Sequence, residues 1–174
     1  MPIKIVIIGP ESTGKSTLTQ ALANHFNEPW VKEYAREYIE QLKRPYNYPD
    51  LLKIAKGQVA LEEKYAPKAN RYLFCDTDLH VMQIWSNHRF GKTHSWTLQQ
   101  IKKRRYDLYL ITDIDIAWEE DPLREHPDPE MRKYFLNLYI SIISETGVPF
   151  IILRGDLQTR LKTAMTEIKK YFDN

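Results

Sequence analysis

The sequence predicts an α/β fold, with five parallel strands in one sheet and helices on both faces. Three observations carry this. Short apolar runs alternate with segments of helical apolar spacing along all 174 residues, the pattern of repeated strand–helix units. The runs are continuous rather than alternating, as strands buried on both faces require. Polar residues follow each run, where open parallel sheets place their ligands.

Ile3 to Ile8 reads as the first, central strand. Leu18, Ala21, Leu22 and Phe26 then fall at helical spacing. After the break at Asn27, Glu28 and Pro29, residues 30–33 form a short second strand ending at Glu33. Tyr34, Ala35, Tyr38, Ile39 and Leu42 resume a helical period, which Pro45 and Pro49 stop. Asp50 is expected to cap the next helix, residues 51–65, which Gly57 interrupts. Tyr72 to Cys75 is the third strand, stopping at Asp76. Asp78 caps a helix carrying Val81, Met82 and Trp85, and Gly91 ends it. Residues 95–105 form an amphipathic helix with a basic end. Leu108 to Ile111 is the fourth strand. Residues 113–129 are polar, acidic and Pro-rich, too long for an ordinary connection, and read as a lid. Met131, Tyr134, Phe135, Leu138 and Ile142 mark the next helix, Phe150 to Leu153 the fifth strand, and Leu157 to Phe172 a closing helix.

Composition limits the function classes. The chain is 43% hydrophobic and 28% charged, as expected of one soluble globular domain over residues 1–174. A net charge of +2 gives no global field for nucleic acid. The basic run at residues 102–105 reads as solvated surface. Cys75 is the single cysteine, so no internal disulfide forms; it reads as a buried strand residue in a reducing cytoplasm. No apolar run reaches membrane-spanning length, and the early first strand leaves no signal peptide. His80, His88 and His94 lack the spacing of a metal site. Oligomeric state is not legible.

The chemistry begins at Gly9-Pro10-Glu11-Ser12-Thr13-Gly14-Lys15-Ser16-Thr17, directly after the first strand and opening a helix. This is G-x-x-x-x-G-K-[ST], the phosphate loop, in the context that confirms it, and it places the fold among P-loop NTPases. Glycines let backbone N–H groups approach phosphate oxygens. Lys15 brings charge to the β- and γ-phosphates of ATP, and Ser16 offers a hydroxyl to Mg²⁺.

The remaining candidates follow the other strands. Glu33 is placed to accept a hydroxyl proton or hold a metal-bound water, and otherwise is a helix N-terminal carboxylate. Asp76 resembles the strand-end aspartate that helps hold Mg²⁺. Asp78 is either a site residue or only an N-cap. Arg36 reaches phosphate or acceptor, or pairs with a carboxylate. Arg124 lies where a lid arginine closes over the transferred phosphoryl group. Trp118, an indole in a polar loop, stacks on a planar base or closes against the body; Trp30 reads as core.

These blocks, with Glu33-Tyr34-Ala35-Arg36-Glu37-Tyr38, Cys75-Asp76-Thr77-Asp78 and Trp118-Glu119-Glu120-Asp121-Pro122-Leu123-Arg124 in order, resemble the ribosylnicotinamide kinase domain of the NadR-type family over nearly the whole chain. The resemblance implies a nucleoside-kinase-like fold and transfer of the ATP γ-phosphate to a ribose hydroxyl of nicotinamide riboside, giving nicotinamide mononucleotide. It implies that Lys15 and Ser16 hold ATP and Mg²⁺ and that Glu33 and Asp76 are the base and the metal-orienting carboxylate, with the choice between them open. Asp78 and Arg36 then lie toward the riboside, and residues 118–124 form the lid. The chain lacks the H-x-G-H signature of the adenylyltransferase often fused to this domain. It reads as a free-standing kinase, with adenylation expected elsewhere.

Two other readings remain. One is a kinase for another nucleoside or metabolite, although Asp76-Thr77-Asp78 replaces the Asp-Arg or Glu-Arg pair of deoxynucleoside and thymidylate kinases. The other is a regulatory ATPase switch, acting on a partner by conformational change. Two carboxylates favour a neutral or cationic acceptor, which suits a pyridinium riboside.

Overall fold

The computed structural model describes residues 1–173. Among these, five strands, β1 (Ile3–Ile8), β2 (Trp30–Val31), β3 (Tyr72–Asp76), β4 (Leu108–Thr112) and β5 (Phe150–Leu153), pair in parallel in the order β2-β3-β1-β4-β5. Seven α-helices connect and cover them: α1 (Lys15–Phe26), α2 (Tyr34–Leu42), α3 (Tyr48–Tyr65), α4 (Leu79–Phe90), α5 (Ser95–Lys103), α6 (Pro129–Ser144) and α7 (Leu157–Phe172). None is long and apolar enough to cross a membrane.

The unbroken apolar run of β1 has a direct structural cause. Side chains alternate between faces, and both faces are covered. Ile5 and Ile7 enter a core with Leu18 and Leu22 of α1 and Ala164 and Ile168 of α7. Val6 and Ile8 enter a second core with Ile54 of α3, Val81 of α4 and Phe135 of α6. Cys75 sits in that second core, where burial pushes its thiol up and keeps it protonated. In register, β1 lies between β3 and β4, with Ile5 opposite both Phe74 and Leu108. The chain order reverses at this point, which opens a crevice beyond the carboxyl end of β1.

Several boundaries move by a turn or less, each for a local reason. Asn47, not Asp50, caps α3: its side chain accepts from the Asp50 N–H, and the Asp50 carboxylate accepts in turn from the Asn47 N–H, a capping box. Pro49 therefore sits in the first turn, where its missing N–H costs nothing, instead of stopping a helix. Asp50 is buried and also accepts from Arg44 and Tyr38. The edge strand β2 ends at Val31, so Glu33 becomes the N-cap position of α2. Asp76 is the last residue inside β3. Helix α5 ends at Lys103, and Arg104 turns back to Glu62 and Glu63, which takes one charge out of the basic run.

Gly57 does not interrupt α3; the helix runs through it. A Cβ there would lie 2.1 Å from Cε1 of Tyr34. The Tyr34 ring rests on the bare helix backbone, next in sequence to Glu33. Gly57→Ala is expected to destabilise the protein by about 1–3 kcal/mol through overpacking, against a helix-propensity gain of up to ~1 kcal/mol. Urea denaturation checks this; a stabilised variant contradicts the packing.

Candidate active site

The phosphate loop takes its shape from close backbone approach and two left-handed residues. Gly9 abuts β4: a Cβ there would lie 2.5 Å from Thr112 Oγ1. Ser12 (φ 55°) and Gly14 (φ 75°) have positive φ and Thr13 between them does not, an alternation that can gather N–H groups into an anion nest. Thr13 Oγ1 donates to Pro10 O at 2.7 Å and lies 2.7 Å from Thr112 Oγ1, tying the loop to the sheet. Lys15 Nζ donates to Pro10 O at 2.8 Å, so the ammonium is held over the loop.

Asp76 is 1% exposed, at the end of β3. Its Oδ2 accepts from Ser16 Oγ at 2.5 Å, while Oδ1 is buried with no partner. Burial, with the Glu33 carboxylate nearby, pushes its pKa up to about 7 against the pull of Ser16 and Lys15. An orphaned carboxylate oxygen beside a loop hydroxyl fits Mg²⁺, which takes few protein ligands and completes its shell with phosphate and water. Among the described residues no cluster of three or more acidic, His or Cys side chains forms an all-protein cage.

This carboxyl makes a stability prediction with a definite sign. The unfolded value is near 3.8 and the folded one about 7. The folded state therefore holds an extra proton between these values, and stability falls as pH rises through that window. In buffer free of metal and nucleotide at pH 8, Asp76→Asn is expected to be more stable than the native protein by on the order of 2–4 kcal/mol. Thermal melts against pH check it; a native pH slope in D76N contradicts it.

Glu33 is aimed by its neighbours. Gln58 of α3 accepts from Tyr34 N–H at 2.8 Å and donates to Lys32 O at 3.2 Å, bracketing the residue between them. Although Glu33 occupies the N-cap position, its side chain makes no cap hydrogen bond and lines the cavity. It is thus a helix N-terminal carboxylate by position, with its oxygens free of a cap bond to the helix.

The cavity holds about 280 Å³. Gly9, Glu11, Ser12, Gly14, Lys15, Ser16 and Thr17 of the phosphate loop line it. Apolar and aromatic side chains, Tyr46, Leu51, Met82, Trp85 and Tyr139, form a second part of its wall. Sequence reasoning missed this second wall. Leu51, Met82, Trp85 and Tyr139 carry ordinary core spacing on α3, α4 and α6, Tyr46 lies in the link before α3, and only the fold brings them together.

The 113–128 loop is docked on the phosphate loop. Glu11 accepts from the N–H groups of Glu125 (3.1 Å) and His126 (3.2 Å). Ser12 Oγ accepts from Glu119 N–H at 2.8 Å and Arg124 Nη1 at 3.2 Å. Arg124 thus reaches the cradle and lines the cavity, and makes no ion pair with Glu120 or Asp121 among the described residues. Arg36 also lines the cavity, but its guanidinium pairs with Asp121 of the lid at 2.6 Å and with Glu40 at 3.3 Å.

Two expected site residues lie elsewhere. Asp78 is buried, accepting from His80 N–H (2.9 Å) and Tyr109 OH (2.7 Å) and contacting His80 Nδ1 (2.7 Å). Its oxygens are consumed in capping α4 and in the core, so it does not line the cavity. Trp118 also stays outside the lining; its ring lies against the guanidiniums of Arg124 and Arg132, 5.9 and 5.7 Å from their carbons. The indole that does reach the cavity is Trp85, backed by Phe135 and the lid's His126 in stacked contacts.

With this geometry in place, comparison with known proteins is informative. A family model described as an AAA domain matches residues 4–160. The Trifunctional NAD biosynthesis/regulator protein NadR of Salmonella typhimurium is 32% identical over 171 residues, 95% of this chain. The chain spans 42% of that relative's length. A crystal structure of NadR protein in complex with NAD and AMP-PNP superposes with a TM-score of 0.80 at 25% identity, covering 99% of this chain and 50% of that one. A second, in complex with NR, gives 0.79 at 24% identity, with the same coverage, and speaks for the fold alone. The phosphate loop, the five-stranded parallel sheet and the family match agree: the chain belongs to the AAA domain family, and it is similar to part of NadR over nearly its whole length.

Proposed function

We propose that this chain is an ATP- and Mg²⁺-dependent kinase that phosphorylates a ribose hydroxyl of nicotinamide riboside, giving nicotinamide mononucleotide. The observation carrying this reading is one cavity whose wall combines two chemistries. The phosphate cradle, a set of apolar and aromatic side chains and Glu33 all line the same space. A donor polyphosphate and a flat, sugar-bearing acceptor fit that shape together.

The roles follow from position. The N–H groups of the loop and Lys15 bind the β- and γ-phosphates and accept the charge that spreads over them during transfer. Ser16 Oγ and Asp76 would hold Mg²⁺, which when bound neutralises phosphate oxygens and orients them. A Glu33 carboxylate oxygen accepts the hydroxyl proton as the new O–P bond forms, and ADP leaves with the electrons of the broken one. Arg124 brings a lid charge to the transferred group. Tyr46 and Trp85 give the lining aromatic side chains suited to a pyridinium, and Glu11, Glu33 and Glu125 in the lining complement its charge. NadR proteins have been crystallised in complex with NR and with NAD and AMP-PNP, ligands of the classes this cavity would take.

An ADP-release screen over ribosides and deoxynucleosides with Mg-ATP tests the reading. Release that depends on nicotinamide riboside supports it. ATP hydrolysis indifferent to any riboside points instead to a switch ATPase.

A further inference from the structure

Two arginines absent from the sequence reading hold the phosphate loop from behind. Arg132, on α6, is 8% exposed, and Arg160, on α7, is 3% exposed. Neither lines the cavity. Arg132 Nη2 donates to Ser12 O at 3.2 Å, and Arg160 Nη1 donates to Thr13 O at 2.6 Å. In a planar trans peptide the carbonyl and the following N–H point in opposite directions. Pulling the Ser12 and Thr13 carbonyls outward therefore turns the N–H groups of Thr13 and Gly14 inward. Neither N–H has a protein acceptor among the described residues.

We propose that Arg132 and Arg160 are positioning residues of the phosphate loop, which set the peptide planes that present the Thr13 and Gly14 N–H groups to the donor's phosphates. This rests on the reading that a nucleotide occupies the loop. Each guanidinium also grips the root of the lid: Arg132 donates to Ile116 O at 3.2 Å, and Arg160 donates to Asp113 O at 3.0 Å and pairs with Asp115 at 2.5 Å. Cradle and lid root thus share two fasteners. The left-handed backbone at Ser12, which L side chains rarely adopt, is held by these bonds. The task suits arginine: a rigid fork spans two acceptors, whereas a lysine ammonium sits at one point.

The test is an NMR titration of ¹⁵N-labelled wild type, R132K and R160K with Mg-AMP-PNP, with nicotinamide riboside titrated separately. In wild type the Thr13 and Gly14 amides are expected to move downfield as they bond phosphate. R132K is expected to reduce the Thr13 shift selectively, and R160K the Gly14 shift. Each raises the Kd for Mg-AMP-PNP about tenfold to a hundredfold, the scale of a charge-assisted hydrogen bond, and leaves that for the riboside within about twofold. A merely structural role would weaken both ligands alike. Should a lysine variant unfold, D115N frees the far end of Arg160, and a smaller Gly14 shift of the same kind is expected. Lysine variants, or D115N in their place, with native amide shifts and native affinity overturn the proposal. Wild-type amides that ignore Mg-AMP-PNP overturn the nucleotide reading, and this one with it.

Discussion

Lys15→Ala is expected to fold normally and to lose phosphoryl transfer by on the order of 10²–10³ in kcat. Lys15 Nζ makes one hydrogen bond, to the Pro10 carbonyl, and faces the cavity. Truncation takes a positive charge from the neighbourhood of buried Asp76, but that carboxyl can take up a proton instead of staying charged, and a helix accepts alanine at its first position, so stability at neutral pH changes by about 1 kcal/mol or less. The loss falls on the transition state because the ammonium meets charge that grows during transfer. Riboside-dependent ADP release, alongside a thermal melt, checks it. A folded K15A with native turnover contradicts the cradle assignment.

Glu33→Gln is the second large effect. Glutamine keeps the size of the side chain, and no cap hydrogen bond is lost because Glu33 makes none. On the proposed mechanism, what disappears is the proton acceptor. A drop of about 10²–10⁴ in kcat is expected, with KM for ATP within about twofold. Steady-state kinetics with each substrate varied separates the outcomes. A variant with native kcat and weakened ATP binding would move Glu33 to the nucleotide. Loss of one negative charge beside Asp76 also lets that carboxyl ionise more readily, since Glu33 is among the groups that push it up.

Most of the fold was legible because its signals are local. Ile3–Ile8, the glycines of the loop and the N-cap at Asp78 each act within a few residues of themselves. The errors mark the places where distant partners decide. Gly57 reads as a helix breaker until the Tyr34 ring is seen lying on it. Asp78 reads as a second site carboxylate until His80 and Tyr109 take up its oxygens. Trp118 drew attention because an indole in a polar loop is unusual, yet Trp85, hidden in an ordinary helical period, is the one that lines the cavity. Arg132 and Arg160 carried no sequence signal, because bonds to backbone carbonyls leave no pattern at the accepting residues. The phosphate loop is a contiguous motif and could be read directly. The apolar and aromatic lining is assembled from α3, α4, α6 and the link before α3, and became visible only with the fold.

The arrangement stands or falls on where the two substrates lie. A crystal structure with Mg-AMP-PNP and nicotinamide riboside measures this directly. The account predicts the β-phosphate among the N–H groups of Thr13, Gly14 and Lys15, a ribose hydroxyl beside Glu33, and the pyridinium ring against Trp85 and Tyr46. Polyphosphate lying outside the loop, or a riboside bound away from the aromatic lining, would contradict it.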